Sequence, residues 1–486
     1  GYHKQLTNGN YGTLVANGAL TAATYSQTDN EAILDGTGTV NITGAATWTD
    51  GAMFGAGTIN FNAGLAITGP ADKNLAGGRV INLFGTSTWS GATGANTNDF
   101  YTGPATLNNF GTFIDANVFD TILRDWYSGD AMVFNNTGTY RKTGGGTTAL
   151  ALVFNNTGTV DVQAGVLALA RGGSAGASGE LAITDGATLR LDAGSFALAD
   201  TVITGTGTLE VAGAFASTTA VFHTGSTTLA GQLLLTGGTL LANGTLTAAT
   251  YAQTANNAVL GGTGTLNVNG AATWADGSMF DAGTINFNAG LAITGPTEKN
   301  LAGGRIINLY GTSTWSGATG ANNNDFYTGP ATINNFGTFI DANAFDTILR
   351  DWYSGDAMVF NNSGTYRKTS AGSTTLELTF NNTGTVDVQA GTLALARGGR
   401  LTGTVDIDAQ AVLQLSGHTH TLSGLTLSGT GLLEVAGSFA SSSSVVAEDA
   451  LVLPGDLLVS GGTLTTQGAT NITGALRMAG GRSEEH

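Results

Sequence analysis

Residues 12–173 return as residues 238–399 at a constant offset of 226, with no gap and 28 differences in 162 positions. A repeat of this length restricts the chain to copied domains or to one long periodic stack. Tyr25, Trp48, Trp89 and Trp126 fall on Tyr251, Trp274, Trp315 and Trp352, and these two copies hold all six tryptophans. Beyond them the likeness loosens. GTGTLEVAGAFAS at 205–217 returns as GTGLLEVAGSFAS at 429–441, and GGTL at 237–240 returns at 461–464. The expected organisation is a first long repeat over 1–237, a second over 238–461, and the start of a third over 462–480. Residues 481–486 read as a tag remnant. LLLTGGTLLANGTL (233–246) carries the same rhythm through the junction, so one continuous rod is expected.

Inside each copy runs a shorter, degenerate period. GTGTVNITG begins at 36, GAGTINFNAG at 55, FNNTGTY at 134, FNNTGTV at 154 and GTGTLEVAG at 205. Each unit is a Gly or Asn turn, a short alternation of Thr with Val, Ile, Leu or Phe, and another turn. Alternate side chains of a strand face opposite ways, so the β-branched set lines one core. A unit of about 20 residues cannot bury that face alone, whereas stacked units can. The pattern therefore predicts an all-β chain, a parallel β-helix (β-solenoid) of about 20 rungs. A pair of β-sandwiches is the competing fold, and the short period counts against it. The pairs Asn135-Asn136, Asn155-Asn156, Asn361-Asn362 and Asn381-Asn382 fit the stack as amide ladders between identical turns.

Charge and composition exclude several functions. The chain carries 34 acids against 17 bases, a net charge of −17, so a basic nucleic-acid-binding face is not expected. Without cysteine, no disulfide, zinc-thiolate site or cysteine nucleophile is available. No run of apolar residues is long enough for a membrane helix, so no membrane insertion within this segment is expected. Nor does the start read as a signal peptide, and the chain is read as an excerpt of something longer.

The stretches FNNTGTVDVQAGVLALARGG (154–173), FNNTGTVDVQAGTLALARGG (380–399) and GTGTLEVAG (205–213) resemble the bacterial β-strand repeat proteins of autotransporter passengers and filamentous-haemagglutinin-like adhesins. That resemblance implies a right-handed parallel β-helix, export to the bacterial cell surface and an adhesive or scaffolding role. It carries over no binding residue.

One stretch per copy departs from the rhythm: residues 98–134 and their twin 324–360. Charge and aromatic rings concentrate there. Phe119, Ile122, Leu123 and Trp126 fall at i, i+3, i+4 and i+7, a helical stripe, with Asn117 placed to cap it and Gly129 to end it. The expectation is a short helix or an irregular insertion in the rod, with a further strand as the alternative. Asp115, Asp120, Arg124, Asp125, Trp126 and Tyr127, with Asp341, Asp346, Arg350, Asp351, Trp352 and Tyr353, form the candidate ligand-binding set. Aromatic faces stack on sugar rings, and carboxylates with Arg bond the hydroxyls around them. The competing account makes Trp126 and Phe119 core plugs and pairs Arg124 with Asp120 or Asp125.

Lys73, Arg79, Lys299 and Arg305 read as solvated turn charges. Arg141-Lys142 and Arg367-Lys368 read as strand-face charges, and His418 with His420 as a surface pair lacking a third metal ligand. No catalytic residue, metal or cofactor is expected. The function read from these features is a non-enzymatic surface adhesin or stalk, binding glycans or further copies of itself. A polysaccharide lyase or hydrolase and an ice-binding solenoid are the alternatives, the latter from the recurrent Thr-Gly-Thr.

Overall fold

A computed structural model describes residues 12–94, 98–126, 132–213, 219–319, 325–352, 358–437 and 443–479. The chain divides into two compact units, 1–246 and 247–486. Among the described residues both are all-β, and each is a β-solenoid of parallel strands, about 21 turns in the two together.

In the first unit each full turn lays one strand on each of three faces. Four consecutive turns place Lys73–Leu75, Phe100–Thr102, Thr121–Asp125 and Thr147–Leu150 on the first face. Arg79–Leu83, Ala105–Asn109, Val133–Asn136 and Val153–Asn156 make the second. Thr86–Trp89, Thr112–Asp115, Thr139–Lys142 and Thr159–Val162 make the third. The second unit repeats the arrangement, with Lys299–Leu301, Phe326–Thr328 and Thr347–Asp351 on its first face. Burial alternates along most of the strands, and the inward files hold Ile, Leu, Val and Phe, together with Trp48, Trp89, Trp274 and Trp315. Phe100 meets Trp48 and Trp89 edge-on, at 5.4 and 5.3 Å between centroids.

Two amide ladders pin the register. On the outer side of the second face, Asn60, Asn82, Asn108, Asn135 and Asn155 each donate Nδ2 to the Oδ1 of the preceding turn's Asn at 2.7–3.1 Å, starting from Asn41. Asn109, Asn136 and Asn156 form an inner ladder, fully enclosed, with 2.7 Å links. Of each Asn-Asn pair, one amide faces out and one faces in. The sequence spacing between outer rungs runs 19, 22, 26, 27 and then 20 residues. The long turns take their extra residues at corners, so the strands stay in register.

Among its described residues, 98–126 and 132–134, the 98–134 stretch forms no helix and keeps to the stack. It contributes the strands Phe100–Thr102, Ala105–Asn109, Thr112–Asp115 and Thr121–Asp125. Phe119 stands in the turn before the last of these, and Leu123 points inward from it beneath Phe100. These strands pair in parallel with the strands of the neighbouring turns, which gives their backbone groups hydrogen-bond partners within the stack. Gly129 lies outside the described residues.

The central glycine of Thr-Gly-Thr has a packing reason. A Cβ on Gly138 would stand 2.0 Å from the carbonyl oxygen of Gly111 one turn below. The Thr that follows heads a file on the third face. In the second unit this runs Thr312, Thr338, Thr365, Thr385, Thr404 and Thr426. The parallel file beside it is Thr314, Ile340, Arg367, Asp387, Asp406 and Ser428, and Arg367 pairs with Asp387 at 2.7 Å.

Candidate functional site

Among the described residues, the first face of each unit brings an exposed tryptophan of the candidate set together with ion pairs of its Asp and Arg residues. Tyr101 and Arg124 are register partners on adjacent turns, so their outward side chains stand side by side. The Arg124 guanidinium lies 5.6 Å above the Tyr101 ring and binds Asp99 at 2.9 Å. Asp99 is itself fixed, its Oδ1 accepting from the Ile122 amide at 2.9 Å. Trp126 follows the strand, its backbone amide donating to Thr102 O at 2.8 Å. Its indole is 66% exposed and meets Tyr101 at 5.2 Å and 59°. Asp125 is held by Arg171, two turns further on. The result is a tilted two-ring shelf flanked by two Asp–Arg pairs.

The second copy rebuilds it. Trp352, 64% exposed, meets Tyr327 at 5.2 Å and 50°, Arg350 lies 5.9 Å over Tyr327 and 3.9 Å from Asp325, and Arg397 binds Asp351. Tyr327 donates to Glu298 at 2.6 Å, which together with burial and Asp325 holds its phenol proton on to higher pH.

The core-plug account of Trp126 and Phe119 fails, because Phe119 is also about half exposed. Arg124 pairs with Asp99 rather than with Asp120 or Asp125. Asp120 and Asp346 stay at exposed turns, accepting from the amides of Thr147 and Ser373 at 2.7 and 2.8 Å. Asp115 and Asp341 leave the candidate site altogether. Both face the core without exposure, each beside a buried lysine, and burial raises the Asp341 carboxyl above its ordinary range. Tyr127 and Tyr353 lie outside the described residues.

Four lone charges also proved internal. Lys73 is completely buried, and its Nζ donates to Thr68 O, Ala71 O and Gly69 O at 2.8, 2.7 and 3.3 Å and to Asn98 Oδ1 at 2.5 Å. Lys299 has the same carbonyl cage, at 2.6, 2.7 and 3.2 Å. Arg79 and Arg305 run under the strands to the carbonyls of Phe54 and Phe280, through space that Gly57 and Gly283 leave open. Lys142 and Lys368 are buried, while Arg141 and Arg367 face out toward Asp161 and Asp387. His420 is buried against Ser416 O, and burial depresses its imidazole. His418 is exposed in a left-handed turn at φ 47°, so the two do not share a face.

In each case the missed signal is strand parity. Lys73, Arg79, Asp115, Lys142 and His420 occupy the inward half of the alternation, which polarity alone led us to read as solvent-facing. Arg171 was missed because it reaches Asp125 across two turns. Among the described residues no cluster of His, Cys, Asp and Glu can hold a metal, and no helix is long and apolar enough to cross a membrane. No protein-family model, curated protein or solved structure matches the chain.

Proposed function

We propose that this chain is a non-enzymatic, glycan-binding or scaffolding segment of a bacterial surface protein, and that the Tyr101–Trp126 and Tyr327–Trp352 shelves are its contact sites. One observation carries the reading: an outward pair of large aromatic rings, flanked by oriented carboxylates and guanidinium groups, occurs at the same place in both copies. Rings offer a flat apolar face to the C–H side of a hexose, and Asp–Arg pairs offer acceptors and donors to vicinal hydroxyls.

The hydrolase or lyase reading has weaker support. Asp99 and Asp125 are engaged by Arg124 and Arg171, and Asp115 faces the core, so none of these three stands as a free carboxylate for acid–base work. The ice-binding reading draws support from the threonine file, but the neighbouring file carries Arg367 and Asp387, and a single file is no two-dimensional lattice for water.

A glycan array probed with the whole chain tests the proposal. Specific retention of hexose-based glycans is expected, with loss of signal in the Trp126→Ala/Trp352→Ala double variant at unchanged melting temperature. Shortening of polymeric glycans by the purified chain, with no retention on the array, would overturn it in favour of an enzyme.

A further inference from the structure

Asp115 and Lys142 are register partners on adjacent turns of the third face, both pointing into the core and both fully enclosed. Their closest approach is 3.7 Å, from Nζ to Oδ2, too long for a hydrogen bond, and Nζ donates instead to Gly144 O at 2.9 Å. Such a pair keeps its desolvation cost without the contact that normally offsets it.

The carboxyl group is gripped from two sides. Oδ1 accepts from the backbone N–H and Nδ2 of Asn117 at 3.2 and 3.1 Å. Oδ2 accepts from Tyr140 OH at 3.4 Å and from Thr148 Oγ1. Phe113 stacks on the Tyr140 ring at 5.4 Å and helps close the pair off from water. The second copy repeats most of it: Asp341 lies 3.8 Å from Lys368, Tyr366 and Thr374 bond its Oδ2, and the Asn343 backbone amide reaches Oδ1 at 3.4 Å, while Asn343 Nδ2 and Lys368 Nζ find no hydrogen-bond partner among the described residues.

We propose that Lys142 is joined to Asp115, and Lys368 to Asp341, by isopeptide bonds that form within the folded chain. A proton passes from the ammonium to the carboxylate, leaving both groups neutral. The Nζ lone pair then attacks Cγ. Negative charge develops on Oδ1, where the two N–H donors of Asn117 already point. The Cγ–Oδ2 bond breaks, and Oδ2 leaves as water with the carboxyl proton and one proton from Nζ, relayed through the Thr148 hydroxyl. An amide remains, with one hydrogen on nitrogen, and the step needs no oxidant, metal or cofactor. Burial favours the reactive neutral forms, lowering both lysines and raising Asp341. Strand spacing of about 4.8 Å puts amine and carboxyl of adjacent turns within reach. In a chain without cysteine, these bonds would tie turn to turn covalently. The inference stands independently of any glycan.

The denatured mass of the full chain tests it. The expected value lies below that of the sequence by two water molecules. Trypsin should leave Lys142 uncleaved, within a branched peptide joined to the segment containing Asp115. Lys142→Met and Lys368→Met should each restore one water. A mass equal to that of the sequence would overturn the proposal. So would a water loss that persists in the Lys142→Met/Lys368→Met variant, which marks dehydration at Asp-Gly steps such as Asp185-Gly186. Sequencing of the branched peptide from the unmutated chain decides the matter even if the variants fail to fold.

Discussion

At the scale of single residues, one residue type plays two opposite parts. Trp48, Trp89, Trp274 and Trp315 fill the core, whereas Trp126 and Trp352 stand in solvent. Trp89→Ala should therefore destabilise the first unit by about 3–5 kcal/mol, the usual cost of emptying a large buried site. Trp126→Ala should stay within about 0.5 kcal/mol. Urea titration followed by far-UV circular dichroism separates the two, and equal effects would return Trp126 to the core. The caged lysines make a prediction about pH. Burial lowers Lys73 and Lys299 from 10.5 to about 8. Between those values the folded chain binds fewer protons than the unfolded chain, so the lysines' contribution to stability rises with pH across the window and is flat below it. The difference in urea midpoint between the chain and its Lys73→Met/Lys299→Met variant should accordingly shift in favour of the chain from about pH 8 to 10.5. A pH-independent difference would mean that the carbonyl cage holds the ammonium form as firmly as water does.

At the scale of the element, the turn is the unit of both stability and legibility. Asn136 donates inward to Asn156 Oδ1 and to Thr159 O, while Asn108 donates outward to Asn82 Oδ1. Asn136→Ala strands buried partners and should cost about 1–3 kcal/mol more than Asn108→Ala, whose neighbours can turn to water. Gly138→Ala should cost at least as much as Asn136→Ala, because its Cβ would collide with a backbone carbonyl rather than a movable side chain. Denaturant midpoints of the three variants give the order, and a milder Gly138→Ala would show that the corner yields. The alternation of Thr with β-branched residues and the Asn-Asn pairs made these strands readable in the sequence. Reading failed where a charged residue or a histidine sat on an inward position, as at Lys73, Arg79, Asp115, Lys142 and His420. Arg79 carries its charge under the strand to Phe54 O, 25 residues back, and Lys73 turns its ammonium onto the carbonyls of its own corner, Thr68, Gly69 and Ala71; the alternation records neither. The helical stripe at 119–126 misled for a related reason: Phe119 belongs to a corner and Leu123 to a strand, and a corner resets the phase of the alternation.

At the scale of the molecule, duplication changes what the shelves can do. A net charge of −17 opposes polyanions, so DNA should not be retained at any salt concentration, and binding to a neutral glycan should depend little on salt. One aromatic shelf on a solvent-exposed face gives weak affinity, because a single sugar buries little area and loses its own freedom on binding. Two shelves in one chain convert the second contact into an intramolecular event wherever the ligand is long enough to meet both. The single variants Trp126→Ala and Trp352→Ala should then leave the affinity for a short oligosaccharide at the intact shelf unchanged and halve the number of sites. Against the corresponding immobilised polymer, each should weaken retention by about ten-fold or more, the loss expected when avidity disappears. Calorimetry with the oligosaccharide and surface retention on the polymer measure the two quantities on the same preparations. A polymer effect no larger than two-fold would show that the shelves act singly, and the near-identity of the copies would then have to be sought in the core they share, in the buried Lys–Asp pairs and amide ladders that each unit repeats.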